Sequence, residues 1–299
     1  MTRFGDFAPL CHHVPSYPWC NLFYRQFLDT GDNSTLSGLS SDRSSAPIGI
    51  NPECGIPLVG HTNSLTTSSS LGNIADIIRK AAVGRSEFRV FLILYLLSLP
   101  LQLLSTGSVL EQGSTALVAL TALHAGVVAT LFWNLLVNAL VATQVVEDGT
   151  MSSLIPMYIF MVLFFVATTY ISFDVALGVT SAFGPSNPQS AVHSTPLFVL
   201  TSIWPGASAL IYFGVMAYIV LGVLRERRPM FFYFLAAVCF VLAQLAWFLL
   251  GIVICKRTNA KIDGSFIATI LETASVVSLF FGWKSITEES WDDYNVNNY

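Results

Sequence analysis

The sequence predicts an all-α protein, a polytopic bundle of transmembrane helices, and three observations lead to this class. Hydrophobic residues make up 54% of the chain and charged residues only 11%, whereas a soluble domain carries about a quarter charged residues. The mean hydropathy is +0.64. The apolar residues form long continuous runs without the alternation of polar and apolar positions that marks a barrel, and in lipid only helices and closed barrels satisfy the backbone.

Six apolar runs have the length that a spanning helix needs, about 20 residues for a hydrocarbon layer of about 30 Å. They are Phe88–Thr106, Thr115–Thr143, Leu154–Phe173, Pro196–Leu224, Met230–Ile254 and Phe266–Trp283. Short polar connections separate the runs, except for an exposed loop between Asp174 and Thr195 that is rich in Gly, Pro and Asn. We therefore predict six clear spans within a bundle that covers residues 79–284.

The segments on either side of the bundle are polar. Residues 1–78 are rich in Ser, Thr, Gly and Pro, which predicts a largely irregular N-terminal region. Within it, the apolar patch at residues 19–28 predicts a short helix on the membrane surface or against the bundle, although a plain local cluster is equally consistent. Residues 285–299 form an acidic tail.

The cations are unevenly divided between the two sides of the predicted membrane. One side carries eight of them: Arg79, Lys80, Arg85, Arg89, Arg225, Arg227, Arg228 and Lys284. The other side carries Lys256, Arg257 and Lys261 when the N-terminal region is left aside. Because cytosolic segments are enriched in Lys and Arg, we predict a cytosolic C-terminus.

The N-terminal region shows signs of an oxidising compartment. It contains Cys11, Cys20, Cys54 and a glycosylation sequon at Asn33. We predict a disulfide among these cysteines, and Cys255 at the end of its span could pair with one of them. Six spans with a cytosolic C-terminus place the N-terminus in the cytosol as well, so the two indications conflict. One further crossing before the first group of cations would remove the conflict.

Several segments together resemble the fungal chitin synthase export chaperones. They are "FGDFAPLC" (4–11), "KAAVGRSEFRVF" (80–91), "VVEDGT" (145–150), "FVLAQLAWF" (240–248), "IDGSF" (262–266) and "GWKSITEESWDD" (282–293). The resemblance implies a multi-pass protein of the endoplasmic reticulum membrane that binds chitin synthase and assists its folding and export, in support of cell-wall chitin synthesis. It also implies seven spans, and the span expected between "GNIADII" and "RKAAVGR" is absent from this chain.

Polar residues inside the spans are candidate contacts for packing or for a client protein. Glu272 lies in the middle of the last run, where a charged group is costly. Asn134 and Asn138 are four residues apart and share one helix face, and Gln244 in the fifth run is of the same kind. We interpret these residues as hydrogen-bonding groups between helices, because the sequence offers Glu272 no second buried charge for an ion relay.

Other candidate contacts lie in the connections. Glu147, Asp148 and Gly149 occupy a short turn, where they could contact a client or simply cap the next helix. Asp263 belongs to one of the segments that carry the resemblance. The acidic tail could bind vesicle-coat components or the client, with a solvated tail as the alternative.

The sequence contains no GxSxG elbow, P-loop, HExxH or dinucleotide fingerprint, so we predict a protein that is not an enzyme and needs no cofactor or metal. Its few cations flank the spans, which excludes a nucleic-acid partner and leaves membrane lipids and a membrane client. The alternative is a transporter or seven-span receptor-like protein with Glu272, His124 and Asn138 in a polar pathway. The lack of an internal repeat opposes that alternative.

Overall fold

The computed structural model describes residues 4–14, 17–30, 85–106, 110, 113–146, 149–180, 182–184, 192–225, 227–257 and 264–296. Helices account for most of the residues in these ranges. They are α1 (Ala8–His13), α2 (Cys20–Thr30), α3 (Arg85–Thr106), α4 (Thr115–Ala142), α5 (Met151–Leu177), α6 (Thr195–Leu224), α7 (Arg227–Phe248), α8 (Gly251–Arg257) and α9 (Gly264–Val296). Asn33, Cys54, Glu147, Asp148 and Asp263 lie outside the described residues.

Six of these helices, α3 to α7 and α9, are long and apolar enough to cross a membrane, which confirms the predicted bundle of six spans. Their ends differ from the predicted ones. Helix α5 extends to Leu177 and ends at Gly178, which has a φ of 60° in the left-handed region. Helix α9 begins at Gly264 and continues to Val296, so most of the predicted acidic tail is a helical extension of the last span.

The fifth run is broken after Phe248, although the sequence predicts one span as far as Ile254. Helix α7 ends there, and the short α8 starts at Gly251. The start of α9 passes very close to this break, because a Cβ on Gly264 would lie 2.6 Å from the carbonyl oxygen of Ala246 and 2.6 Å from Cα of Gly251. Close approach of the two chain segments therefore accompanies the break.

Helix α4 is the centre of the bundle. In its most apolar segment 61% of the residues are buried, compared with 17% in α5, which lies at the periphery. Helix α4 packs against α3, α5 and α6, while α9 packs along α7. Small residues allow this packing. Gly126 of α4 has no Cβ, and a Cβ at this position would lie only 2.9 Å from the Phe165 ring of α5, which is too close.

The two ends of the bundle differ in charge and in covering. Helices α3, α5 and α7 begin where α4, α6 and α9 leave the bundle, and we call this the basic end. Its described cations are Arg89, Arg225, Arg227, Arg228 and Lys284. The opposite end is covered by residues 4–14 and 17–30, which we call the N-terminal cap.

The N-terminal cap packs closely on the bundle. Phe7, Leu22 and Phe23 are fully buried, in a cluster with Val118 of α4 and Val175 of α5. A disulfide joins Cys11 to Cys20 and links α1 to α2. Helix α2 lies where the sequence predicts a short helix at residues 19–28, whereas the close packing of residues 4–14 on the bundle is not evident from the composition of residues 1–78. The composition of the whole region is dominated by its Ser-, Thr- and Gly-rich part, which conceals the aromatic residues near its start.

Polar contacts fix the position of the N-terminal cap. Asn21 Nδ2 donates to the carbonyl oxygen of Ser105 at 3.0 Å and to Oγ1 of Thr121 at 3.2 Å. Arg25 donates to the carbonyl oxygen of Gly113 at 2.9 Å. These partners lie where α3 ends and α4 begins, so α2 lies at the end of the bundle opposite to Arg85.

Candidate functional site

A cavity of about 400 Å³ lies inside the bundle. Helices α3, α4, α6, α7 and α9 line it, and the N-terminal cap contributes Tyr17, Pro18 and Trp19. The lining is mostly apolar, with a small number of polar side chains that reach it from different helices: Tyr95, Ser98, Gln102, His124, Ser202, Gln244 and Glu272. A mostly apolar cavity with a few convergent polar groups is the usual form of a small-molecule site.

Two residues predicted from the sequence meet in this cavity. Gln244 of α7 and Glu272 of α9 are brought together by the packing of those two helices, and Gln244 Nε2 donates to Glu272 Oε1 at 3.4 Å. This is a long hydrogen bond. Among the described residues Gln244 is the only hydrogen-bonding partner of Glu272. The carboxyl group is therefore weakly bonded within the protein and faces a space that a ligand could occupy.

His124 reaches the same cavity from α4 but has closer partners. Its Nδ1 lies 3.0 Å from Oγ of Ser105, and its ring lies 5.3 Å from the ring of Trp19. Beside it, the hydroxyl of Tyr17 lies 3.2 Å from Oγ of Ser202. Burial raises the pKa of Tyr17 to about 12, against the opposing effect of the Ser202 hydrogen bond, so this hydroxyl stays protonated. The contacts Trp19–His124 and Tyr17–Ser202 therefore hold the N-terminal cap against the wall of the cavity.

A second group of polar residues lies at the basic end, and we call it the basic-end cluster: Glu87, Asn134, Asn138, Gly149 and Ser153. Glu87 is fully buried at the start of α3. Its Oε1 accepts hydrogen bonds from the backbone N–H of Gly149 at 3.1 Å and from the hydroxyl of Ser153 at 2.8 Å. The carboxyl group thus joins the first span to the turn between α4 and α5. Its Oε2 has no partner among the described residues.

The two asparagines belong to this cluster and not to the cavity. Asn138 Nδ2 donates to the carbonyl oxygen of Asn134 at 2.8 Å and to its Oδ1 at 3.2 Å. Asn134 Nδ2 lies 3.3 Å from Sδ of Met157 on α5. The spacing of four residues put the two amides on one face, as the sequence predicts. Because Asn138 does not line the cavity, the structure does not join it to Glu272 and His124, and the alternative of one polar pathway is not favoured.

The remaining predicted contacts are placed only in part. Gly149 lies in the basic-end cluster, while its neighbours Glu147 and Asp148 are outside the described residues. Cys255 belongs to α8, but its side chain lies outside what the structure describes. No group of residues that could hold a metal ion occurs in the described part of the chain.

Sequence reasoning missed Glu87. The neighbouring cations Arg79, Lys80, Arg85 and Arg89 were interpreted only as indicators of membrane orientation. A usable signal was present, because an acidic residue between Arg85 and Arg89 in the first turn of an apolar helix is suited to buried hydrogen bonds with neighbouring backbone N–H groups.

The fold and these two sites define a polytopic helical membrane protein with a mostly apolar interior cavity that contains a few polar side chains. The chain belongs to the chitin synthase export chaperone family, whose model matches residues 3–297. Curated relatives of that name include those of Chaetomium globosum, 27% identical over 96% of this chain and 83% of the relative, and Fusarium oxysporum, 26% identical over 97% and 84%. A relative from Neurospora crassa is 25% identical over 97% of this chain and 78% of its own. No solved structure shows significant similarity.

Proposed function

We propose that this chain is a chaperone of the endoplasmic reticulum membrane that binds chitin synthase, assists its folding and allows its export to the cell surface. It thereby supports chitin synthesis and cell-wall organisation. The observation that carries this proposal is the family match over residues 3–297, which includes every span of the bundle. Chaperones normally catalyse no reaction, so we also propose that the chain is not an enzyme.

The surface of the bundle is consistent with a membrane client. Helix α5 exposes a continuous apolar face that includes Ile159, Val162, Leu163 and Val166. Packing and a few polar contacts drive helix association in lipid, because lipid tails are as apolar as the side chains. A span of chitin synthase could therefore replace lipid on such a face without loss of apolar burial.

The two ends of the bundle support one orientation. The disulfide between Cys11 and Cys20 favours the oxidising lumen for the N-terminal cap, and the described cations at the basic end favour the cytosol. The C-terminal part of α9 leaves the bundle at the basic end and is therefore cytosolic in this proposal. We propose that its acidic residues bind vesicle-coat components and that Glu147 and Asp148 contact the cytosolic part of the client. We also propose that Asn33 is glycosylated.

The proposal is tested by localising a fluorescent chitin synthase in fungal cells that lack this protein. We expect the synthase to stay in the endoplasmic reticulum and to reach the cell surface again when the chain is restored. An unrelated polytopic protein of the plasma membrane is the control for general secretion and should be delivered in all cells. Normal delivery of chitin synthase without this chain would contradict the proposal.

A double variant separates the chaperone from a transporter. Glu272→Gln together with Asn138→Leu removes the polar groups that a transport pathway would use. We expect the double variant to restore chitin synthase delivery. Solute flux is the measurement that discriminates. A flux that the wild-type chain carries and the double variant lacks, with normal delivery in both, would support transport as the function.

A further inference from the structure

A second, apolar groove of about 180 Å³ lies beside the interior cavity, between α3 and α9. Leu92, Leu96 and Leu99 of α3 face Val277 and Phe280 of α9 across it. Val277 is 47% exposed, so the groove opens towards the surface that lipid covers. Apart from Tyr95 and Thr273, its lining residues are Leu, Val and Phe, which suit a hydrocarbon chain.

The groove and the cavity share a wall. Tyr95 and Val276 line both of them, and the Tyr95 hydroxyl lies 2.7 Å from Oγ1 of Thr273. This hydrogen bond and the one from Gln102 Nε2 to Thr269 Oγ1 at 2.9 Å link α3 to α9. Movement of one tyrosine side chain would therefore connect the groove to the cavity.

The polar groups of the cavity define the other half of a ligand. Glu272 is acidic and has only a long hydrogen bond from Gln244 among the described residues. The cavity lining contains no Lys or Arg. A ligand head with N–H donors, and above all a cationic amine, would form charge-assisted hydrogen bonds with the carboxylate. An anionic head would meet a like charge and no cation.

We propose that the cavity and the groove between α3 and α9 together bind a single-chain amphiphile with an amine head, whose head contacts Glu272 and Gln244 and whose hydrocarbon chain lies in the groove. The size supports a small ligand, because ligand sites usually measure about 300 to 1,000 Å³ and are mostly apolar. A client helix could cover the groove from outside. It could not reach Glu272, which lies behind the shared wall of Tyr95 and Val276.

The test uses the full chain in lipid nanodiscs and a hexadecylamine that carries a photoreactive diazirine in its chain. We expect cross-links on the α3 and α9 peptides that contain Leu96 and Val277. Unlabelled hexadecylamine should compete, whereas hexadecanoic acid should not. Cross-links spread evenly over lipid-facing helices such as α5, or equal competition by the acid, would overturn the proposal.

Two variants and one control make the test specific. Glu272→Gln should weaken labelling about tenfold or more, since the negative charge that strengthens the hydrogen bond from the amine is removed. Leu96→Trp, which fills the groove without touching the polar groups, should weaken it as well. Glu87→Gln, which changes a buried carboxyl group outside the cavity, should leave labelling unchanged.

Unfolding midpoints of all three variants identify any that fail to fold. Unchanged labelling in folded Glu272→Gln would overturn the proposal. Delivery of chitin synthase is measured separately, so failure of the ligand proposal leaves the chaperone proposal standing.

Discussion

The capped end and the basic end of the bundle are stabilised by different chemistry. At the capped end, aromatic packing and the disulfide between Cys11 and Cys20 hold the N-terminal cap against α4 and α5. At the basic end, the buried carboxyl group of Glu87 joins α3 to the turn before α5. Between them, Glu272 faces a cavity with one long hydrogen bond. The comparison indicates that the contacts at the two ends have structural roles, whereas Glu272 between them is only weakly bonded among the described residues.

The largest expected effect concerns the capped end. Replacing Cys11 and Cys20 by Ser should lower the free energy of unfolding by about 2 to 4 kcal/mol, because the disulfide restricts the unfolded chain. Thermal unfolding in mild detergent measures this loss, and full reduction of the wild-type protein should reproduce it. Cys239→Ser is the matched control, since Cys239 is a free cysteine in α7. A wild-type midpoint that is insensitive to reduction would refute this account of the capped end.

The next effect concerns the basic end. Glu87→Leu leaves the N–H of Gly149 and the hydroxyl of Ser153 without their acceptor, which should cost about 1 to 3 kcal/mol. This loss should not depend on reductant, in contrast to that of the cysteine variants. Combining Glu87→Leu with Ser153→Ala gives a double-mutant cycle, in which we expect a loss smaller than the sum of the two single losses. Additive losses would show that the two side chains do not interact.

A smaller effect is expected within the same cluster. Asn138→Leu removes the hydrogen bonds to the backbone and side-chain oxygens of Asn134 and should cost about 0.6 kcal/mol, the average for hydrogen bonds between membrane residues, and at most about 1.7 kcal/mol. Leu140→Ala, at a position 53% exposed on the same helix, is the control and should unfold at the wild-type midpoint. If the control loses as much stability as Asn138→Leu, the hydrogen bonds between Asn138 and Asn134 do not contribute measurably to stability.

The smallest effect is expected in the cavity. Glu272→Gln keeps the shape of the side chain and a group that can bond to Gln244, so its cost should stay below about 0.6 kcal/mol. Chemical unfolding of the purified protein measures it beside Glu87→Leu. A loss as large as that of Glu87→Leu would mean that Glu272 is a structural group after all, and the contrast between the two glutamates would disappear.

The sequence predicted the spans well because each is a long apolar run, and the interruptions between runs are polar. It located the ends less well. Gly178 stops α5 through its left-handed backbone, and the break after Phe248 accompanies the close approach of Gly264. Neither effect can be deduced from hydropathy. The sequence indicated a short helix at residues 19–28, where α2 lies, but not the burial of the N-terminal cap, because that burial depends on contacts with α4 and α5, which are distant in sequence.

The candidate site was predicted residue by residue but not as an arrangement. The spacing of Asn134 and Asn138 indicated a shared face, since both lie on one helix. Gln244 and Glu272 lie on different helices, 28 residues apart, and their contact depends on how α7 and α9 pack. The separation of Asn138 from the cavity likewise depends on tertiary structure, so the sequence could not exclude a single polar pathway.

The central claim, that this chain binds chitin synthase in the membrane of the endoplasmic reticulum, is tested most directly by co-purification. The tagged chain is isolated from membranes solubilised in a mild detergent, and bound proteins are quantified by mass spectrometry beside an unrelated polytopic protein of the same membrane. The account predicts that chitin synthase is strongly enriched with this chain. Recovery of the synthase in equal amounts with the unrelated protein would contradict it.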